Sequence, residues 1–451
     1  MARKDADMTQ GEIWRHFLSF SVPLAIGLLF QQMYNTVDSI VVGQYVGEEA
    51  LAAVGSTGSI VNMLISLCNG LSMGAGVVIS QAYGAKDEER LQRAVHTTIA
   101  VGFILCVFAT IVGRLLVRPM LQMMQTPDNV IAESETYLGI YFSGISGLLM
   151  YNIGSAILRA VGDSKRPLYF LIFSALTNTM LDLLFVLKFN MGVAGVALAT
   201  TIAQGLSAVL VLVVLTKEKG IYGLRWRKLR ISLPELKSVA ANGAPAGVQQ
   251  ALTSFSNVFV QSYINAFGSA CMAGWNCYNK IDAFMMVPAM SIAQASTTFV
   301  GQNWGAKNLK RARRGVRFAV TASFSCSLVL AVLVMMMAKP LTHLFTPEAQ
   351  VQDYAVRFIH IVTPFYLTMC FNQIFGGALR GIGNARTPMI IMLGSFVVFR
   401  QAYLYISANV LHTGFVGVAL AYPLGWVLCS ALLAVAFFRS KLFDKNKPLE
   451  A

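Results

Sequence analysis

Apolar runs of twenty residues or more recur along this 451-residue chain almost without pause, and no other feature restricts its fold so severely. Each run is long enough to cross the roughly 30 Å hydrocarbon core of a bilayer as a helix. Read between clusters of charge and turn residues, they fall near 17–46, 53–80, 94–117, 134–160, 167–187 and 193–216. A second set follows near 238–266, 272–301, 317–338, 352–380, 388–411 and 415–438. Only 12% of residues are charged, about half the share of a soluble domain. With no water in the bilayer core, backbone groups must bond within their own segment. The expected fold is therefore an all-α integral membrane protein of twelve transmembrane helices. The first run is too long for a signal-peptide core and is expected to remain as helix 1.

A net charge of +14 raises nucleic-acid binding, but the cations lie in loops rather than on faces, so no nucleic-acid partner is expected. Their distribution reports orientation instead. Alternate loops, with both terminal segments, hold 28 of the 35 Lys and Arg residues, against four (Arg114, Arg118, Lys188 and Lys339) in the opposite loops. Both termini are thus expected to be cytoplasmic, in a multi-pass protein of the plasma (inner) membrane. Lys280, Arg357 and Arg400 fall within or at the ends of helices. The basic stretch 217–237 reads as a cytoplasmic connector held to anionic lipid. The seven Cys lie in apolar segments without metal-like spacing and read as small packing residues.

Compared with itself at a shift of 221 or 222 residues, the chain repeats. At 221, Gln81, Gly84, Ala85, Lys86, Arg90 and Arg93 meet Gln302, Gly305, Ala306, Lys307, Arg311 and Arg314. Leu158-Arg159 through Pro167 meets Leu379-Arg380 through Pro388 at the same shift. At 222, Pro23 and Asn35 meet Pro245 and Asn257, and Gly195–Ala199 meets Gly417–Ala421. The one-residue drift is what small loop insertions produce. The expected organisation is two pseudo-symmetric six-helix lobes, 1–216 and 238–438, joined by 217–237 and followed by a cytoplasmic tail, 439–451. An even number of helices per repeat makes both halves cross in the same sense, as in secondary transporters that rock about a central cavity. Gly70-x-x-x-Gly74 and Gly243-x-x-x-Gly247 fit close helix packing.

These residues resemble the multidrug and toxic compound extrusion (MATE) transporters over nearly the whole chain. Carrying the resemblance are Pro23 through Asn35 to Asp38 and Gly43, the Gln81–Lys86 stretch, Arg159 with Gly162-Asp163, and Pro288 with Thr298 through Lys307. It implies two six-helix lobes in a V around a central cavity, and export of drug-like organic cations.

An Asp near a helix centre costs roughly 2.5–3.5 kcal/mol on insertion scales, so intramembrane acids are functional candidates. Asp38 and Asp182 come at matched depth before the outer ends of helices 1 and 5. Asn178 is one turn from Asp182, and Thr200 and Thr201 enter helix 6 at comparable depth. This set of oxygens suits a proton or a sodium ion. The resemblance adds that one branch of the family uses a carboxylate cluster in the N-terminal lobe; the matching positions here are Asp38, Asn178, Asp182 and Thr200, with Asn152 of helix 4. Another branch carries acids in helices 7 and 10, where this chain has only the marginal Asp353. In the repeat, Asp38 meets Val260 and Asp182 meets Tyr403. Coupling is accordingly expected in the N-terminal lobe, most like the DNA-damage-inducible (DinF-like) branch.

The expected function is secondary active multidrug efflux: antiport of lipophilic, cationic organic compounds against H+ or Na+, with no cofactor and as a monomer. Moving one charge across 100 mV supplies about 2.3 kcal/mol, on the order of a fifty-fold gradient. Met33, Asn35, Phe255, Asn257, Phe259, Lys280, Met285 and Met286 lie in helices expected to line the substrate cavity, thioethers and aromatic faces suiting varied apolar cations. The alternative is a flippase for lipids or lipid-linked saccharides, whose cavity should be strongly basic. An intramembrane enzyme is the remotest reading, because the five His are scattered and no His-Glu-x-x-His or serine elbow is present.

Overall fold

The computed structural model describes residues 7–46, 65–66, 69–123 and 128–443, which are helical nearly throughout. In chain order the helices are α1 (Ile13–Val41), α2 (residues 69–84), α3 (Glu88–Met123), α4 (Asp128–Ala160), α5 (Lys165–Leu183) and α6 (Gly192–Lys217). They continue as α7 (Leu233–Asn265), α8 (Ser269–Gly305), α9 (Leu309–Met336), α10 (Ala349–Gly381), α11 (Arg386–Val410) and α12 (Gly414–Phe438). Among the described residues, ten helices are long and apolar enough to cross a bilayer. The expected span 53–80 lies largely outside the described residues. α7 is long enough at 33 residues, but Glu235, Lys237, Asn242, Gln249 and Gln250 dilute its apolar character.

The repeat is written into the backbone. Non-glycine residues take up left-handed conformation in pairs, Lys86 with Lys307 and Asn190 with His412, and so do Gly162 with Gly383 and Gly192 with Gly414. Lys86, Gly162, Lys307 and Gly383 each follow a helix whose last carbonyls are closed by the same pattern. For Gly383, its N–H donates to Arg380 O at 2.8 Å and Asn384 N–H donates to Leu379 O at 2.9 Å, a left-handed C-terminal cap.

The later register change, from 221 at Pro167 to 222 by Gly195, lies inside a helix, not in a loop. A π-turn extends α5 at Leu184–Lys188, and its equivalent at a shift of 222 is the π-turn Ile406–Val410 in α11. α11 has a second π-turn, Gly394–Phe399, with no partner in α5. A π-turn adds one residue to a helix without changing its course, so the register moves from 221 to 222 there. The buried pair Ser174 and Ser395, at the start of this π-turn, still matches at 221. Beyond it Asn178 matches Arg400, and Asp182 matches Leu404 rather than the expected Tyr403.

Two compact units divide the chain, one comprising Val22–Gly247 and the other Met8–Ser21 with the chain from Val248 onward. The cuts fall inside α1 and α7, next to Pro23 and Pro245, so the expected lobes 1–216 and 238–438 differ from these units in the first half of each helix. In the first unit α6 packs on α4 and α5, and in the second α12 packs on α10 and α11. Small residues allow the approach: a Cβ on Gly147 would lie 2.7 Å from the backbone nitrogen of Gly205, and one on Gly70 2.6 Å from Gly243 O.

The repeated Gln-to-Arg motif clamps these exchanged helix starts. In the second unit Gln302 Oε1 accepts from Met8 N–H at 2.9 Å, and Arg311 donates to Met8 O at 3.0 Å and to Gln10 O at 2.7 Å. Phe17 then packs between Phe299 and Phe318, 5.2 Å from each. In the first unit Arg90 and Arg93 approach the buried Glu235 at the start of α7, at 3.6 and 3.8 Å.

Candidate functional site

A cavity of about 120 Å³ opens in the first unit among α1, α4, α5 and α6. Periodicity puts its polar groups there. Thr200, Gln204 and Ser207 follow one face of α6, and Asn178 and Ser174 one face of α5, at the three- and four-residue spacing of helix neighbours. Asn178 Nδ2 donates to Thr200 Oγ1 at 3.3 Å. One turn further along α5, Asp182 is fully buried at 0% exposure, with Asn178 at 1% and Thr200 at 4%. Asp182 is therefore outside water contact, one helical turn from Asn178, which with Thr200 forms part of the cavity wall. Asn152 lines the same cavity from α4. Asp38 is placed on α1, but its side chain, like that of Asn35, lies outside the described residues.

Sequence reasoning missed Gln31, Tyr151 and Gln204, which also line the cavity. Gln204 was open to discovery, being one turn from Thr200 by the spacing that linked Asn178 to Asp182. The set of carboxylate, amide and hydroxyl oxygens can take up a proton at Asp182 or offer hard oxygen ligands to a small cation.

The second unit carries larger side chains at the equivalent positions. Asn178, Thr200 and Gln204 correspond at a shift of 222 to Arg400, Tyr422 and Trp426. Arg400, 3% exposed, donates through Nη2 to Ser256 Oγ and Asn257 Oδ1, each at 2.8 Å. Its Cζ lies 4.8 Å from the Tyr422 ring centroid. Trp275 packs in turn on Tyr422 at 5.2 Å and on Phe358 at 4.9 Å, and Phe415 packs on Phe358. Asp282 accepts from Tyr278 Oη at 3.0 Å.

The described residues among those expected in a substrate cavity differ in their exposure. Phe255 and Phe259 are exposed on α7 and meet edge to face at 5.1 Å, and Met33 is exposed on α1. Met285 is instead buried in the apolar core of the second unit, and Met286 packs against that core. Lys280 is exposed, its ammonium 5.6 Å from the Phe345 ring centroid.

A family model described as MatE matches this chain twice, over residues 23–184 and 245–406. The probable multidrug resistance protein YoeA of Bacillus subtilis is 29% identical, the alignment covering 95% of this chain and 94% of that one. A transporter of the MOP superfamily from Pyrococcus furiosus, whose binding pocket of reverse polarity is described as suggesting a different function, superposes with a TM-score of 0.92 at 22% identity, covering 97% of this chain and 98% of that chain. An outward-facing multidrug resistance MATE transporter superposes with a TM-score of 0.91 at 23% identity over the same shares of the two chains.

Proposed function

The chain belongs to the MatE family, and from that premise we propose that it is a secondary active exporter of lipophilic organic cations, driven by antiport of H+ or Na+. The observation that carries this reading is the fully buried Asp182, one turn along α5 from the hydrogen-bonded Asn178–Thr200 pair in the wall of the first unit's cavity. A carboxylate away from water is costly to keep charged without a proton or cation beside it. A group of that kind takes up a proton or cation from the high-potential side and releases it to the other. Binding changes the charge of the cavity wall and so favours one of two conformations, with substrate carried outward on the return. Asp38, on the α1 flank of the same unit, completes the site in this reading, as in the DinF-like branch, and the basic ends of the helices face the cytoplasm.

The test is transport by the purified protein in proteoliposomes, with proton and sodium gradients imposed separately and a fluorescent lipophilic cation as substrate. Uptake under one gradient and none without it is the expected result. Absence of uptake under both, with the protein shown to be inserted and folded, would defeat the reading and favour a lipid or lipid-linked substrate. The multidrug resistance protein of Bacillus subtilis named above supports the choice of probe.

A further inference from the structure

The connector after α6 is a folded piece of the first unit. Arg225 N–H donates to His96 Nε2 at 3.1 Å while His96 Nδ1 is 2.6 Å from Gln92 O, and Ser232 N–H donates to Thr97 Oγ1 at 3.0 Å. Both imidazole nitrogens are engaged by backbone, with the hydrogen assigned to Nδ1 by that pattern. Leu224 is buried beneath, 2% exposed. Glu218 ties the start of the connector down by accepting from Arg166 at 3.2 Å and from Tyr222 Oη at 2.9 Å.

This docking builds a cavity of about 550 Å³ between the first turns of α3 and the connector, with Arg93, His96, Arg227, Lys228 and Arg230 in its wall. Arg93 is engaged by Glu89 and Glu235. Arg227, Lys228 and Arg230 form no ion pair among the described residues, leaving three cations aimed at one preformed space of ligand-pocket size.

The apolar surface beside it identifies the occupant. α3 has 36 residues, about 54 Å at 1.5 Å per residue, so its first turns project past a hydrocarbon core of about 30 Å. Eleven residues are close to three full turns, so Ile104 and Val107 continue the faces of Arg93 and His96. Ile104, Val107, Phe108, Ile111 and Leu115 are all more than half exposed. Trp226 stands at the foot of this stripe, half-exposed, 6.1 Å from Phe103 by ring centroids, its indole N–H donating to Thr216 Oγ1 at 3.1 Å. An amphipathic ring at that level marks the membrane–water boundary.

We propose that this cavity is a binding site for an anionic glycerophospholipid, its phosphate held by Arg227, Lys228 and Arg230 and its acyl chains lying along the Ile104–Leu115 stripe of α3. The site is independent of the transport reading. A soluble phosphate would use the three cations and leave the stripe and Trp226 without a part.

Native mass spectrometry of the purified full chain, with phosphatidylglycerol or phosphatidylcholine added to the detergent, tests this directly. Wild type is expected to retain phosphatidylglycerol selectively. The triple variant Arg227→Gln, Lys228→Gln, Arg230→Gln should lose affinity for it on the order of a hundredfold. A control removing three cations elsewhere at the basic ends, Lys86→Gln, Lys165→Gln, Lys310→Gln, should retain it. Quenching of tryptophan fluorescence by phosphatidylglycerol brominated on its acyl chains should fall in Trp226→Phe. Equal retention of both lipids, equal loss in triple and control, or displacement by millimolar glycerol phosphate would each overturn the assignment. The last outcome would identify a soluble phosphate site instead.

Discussion

The two units share one architecture and differ where it matters. In the first, Asn178, Thr200 and Gln204 border a cavity, with the buried Asp182 one turn further along α5; in the second, Arg400, Tyr422 and Trp426 stand at the same register. A hydrogen-bonded amide and hydroxyl are replaced by a guanidinium stacked on a phenol ring, and the carboxylate by Leu404. At this register unit 2 carries a guanidinium where unit 1 carries an amide. The two copies of the scaffold thus differ by a handful of side chains, small and polar in the first and large, aromatic or cationic in the second.

Removing the exchangeable charge should have the largest effect. Asp182→Asn preserves volume and hydrogen bonding, and gradient-driven transport in proteoliposomes is expected to fall to background while equilibrium binding of a fluorescent cation persists. Full coupling in that variant would break the comparison at its centre. Giving the first unit the second unit's residue comes next: Gln204→Trp should fill the cavity and cut coupled transport at least tenfold, with the thermal unfolding midpoint measured alongside. Overpacking costs about 1–3 kcal/mol, so a collapse of the fold would point to crowding rather than to a blocked path.

The reverse experiment acts on stability instead. Arg400→Gln gives up the Tyr422 stacking and the bonds to Ser256 and Asn257. It is expected to cost about 1–3 kcal/mol in thermal unfolding while leaving the response to the gradient unchanged. Lost coupling in a folded Arg400→Gln protein would show that unit 2 takes part in ion exchange.

The smallest effect concerns a tie found only in unit 1. At a shift of 222, Glu218 corresponds to Ser440, so the second unit has no equivalent. Burial pushes the Glu218 carboxyl up, but the Tyr222 hydroxyl and the Arg166 guanidinium together hold it below its ordinary value of 4.5. A lowered folded value means that the tie contributes fully above that pH and is lost as pH falls through the folded value. Glu218→Gln should therefore cost about 1 kcal/mol, constant between pH 5 and 8, and vanish in more acidic buffer. A loss that grew instead between pH 5 and 8 would assign the tie to another group.

Much of this was legible in the residues. Hydropathy gave the spans because lipid leaves helices as the only open-ended solution, and the repeat was visible because Pro23, Gln81 and Arg159 recur with their neighbours. Asn178, Asp182 and Thr200 emerged from depth and helical spacing alone. What could not be read was the place of the inserted residue. A π-turn has no compositional signature, so Gly394–Phe399 looked like ordinary helix and the Arg400 correspondence stayed hidden. The same holds for Met285, since a methionine at helical spacing suits a core and a cavity equally, and only the packing of α8 on α10 decides. The exchange of helix starts was equally silent, because Arg311 and Arg90 read as loop cations until their partners were seen.

That exchange sets a timetable for synthesis. Met8 bonds to Gln302, 294 residues later in the chain, and ribosomes add about 5–20 residues per second. The segment around Met8 thus waits roughly 15–60 s after its synthesis for the groups that hold it. Glu235, by contrast, follows Arg90 and Arg93 and can meet them as soon as it emerges. The first unit can close before the second is made, whereas the second needs a piece made 294 residues earlier. Nascent-chain intermediates should accordingly have a shielded first cavity and an N-terminal arm still open to protease, with the arm becoming protected only after residue 311 has cleared the tunnel.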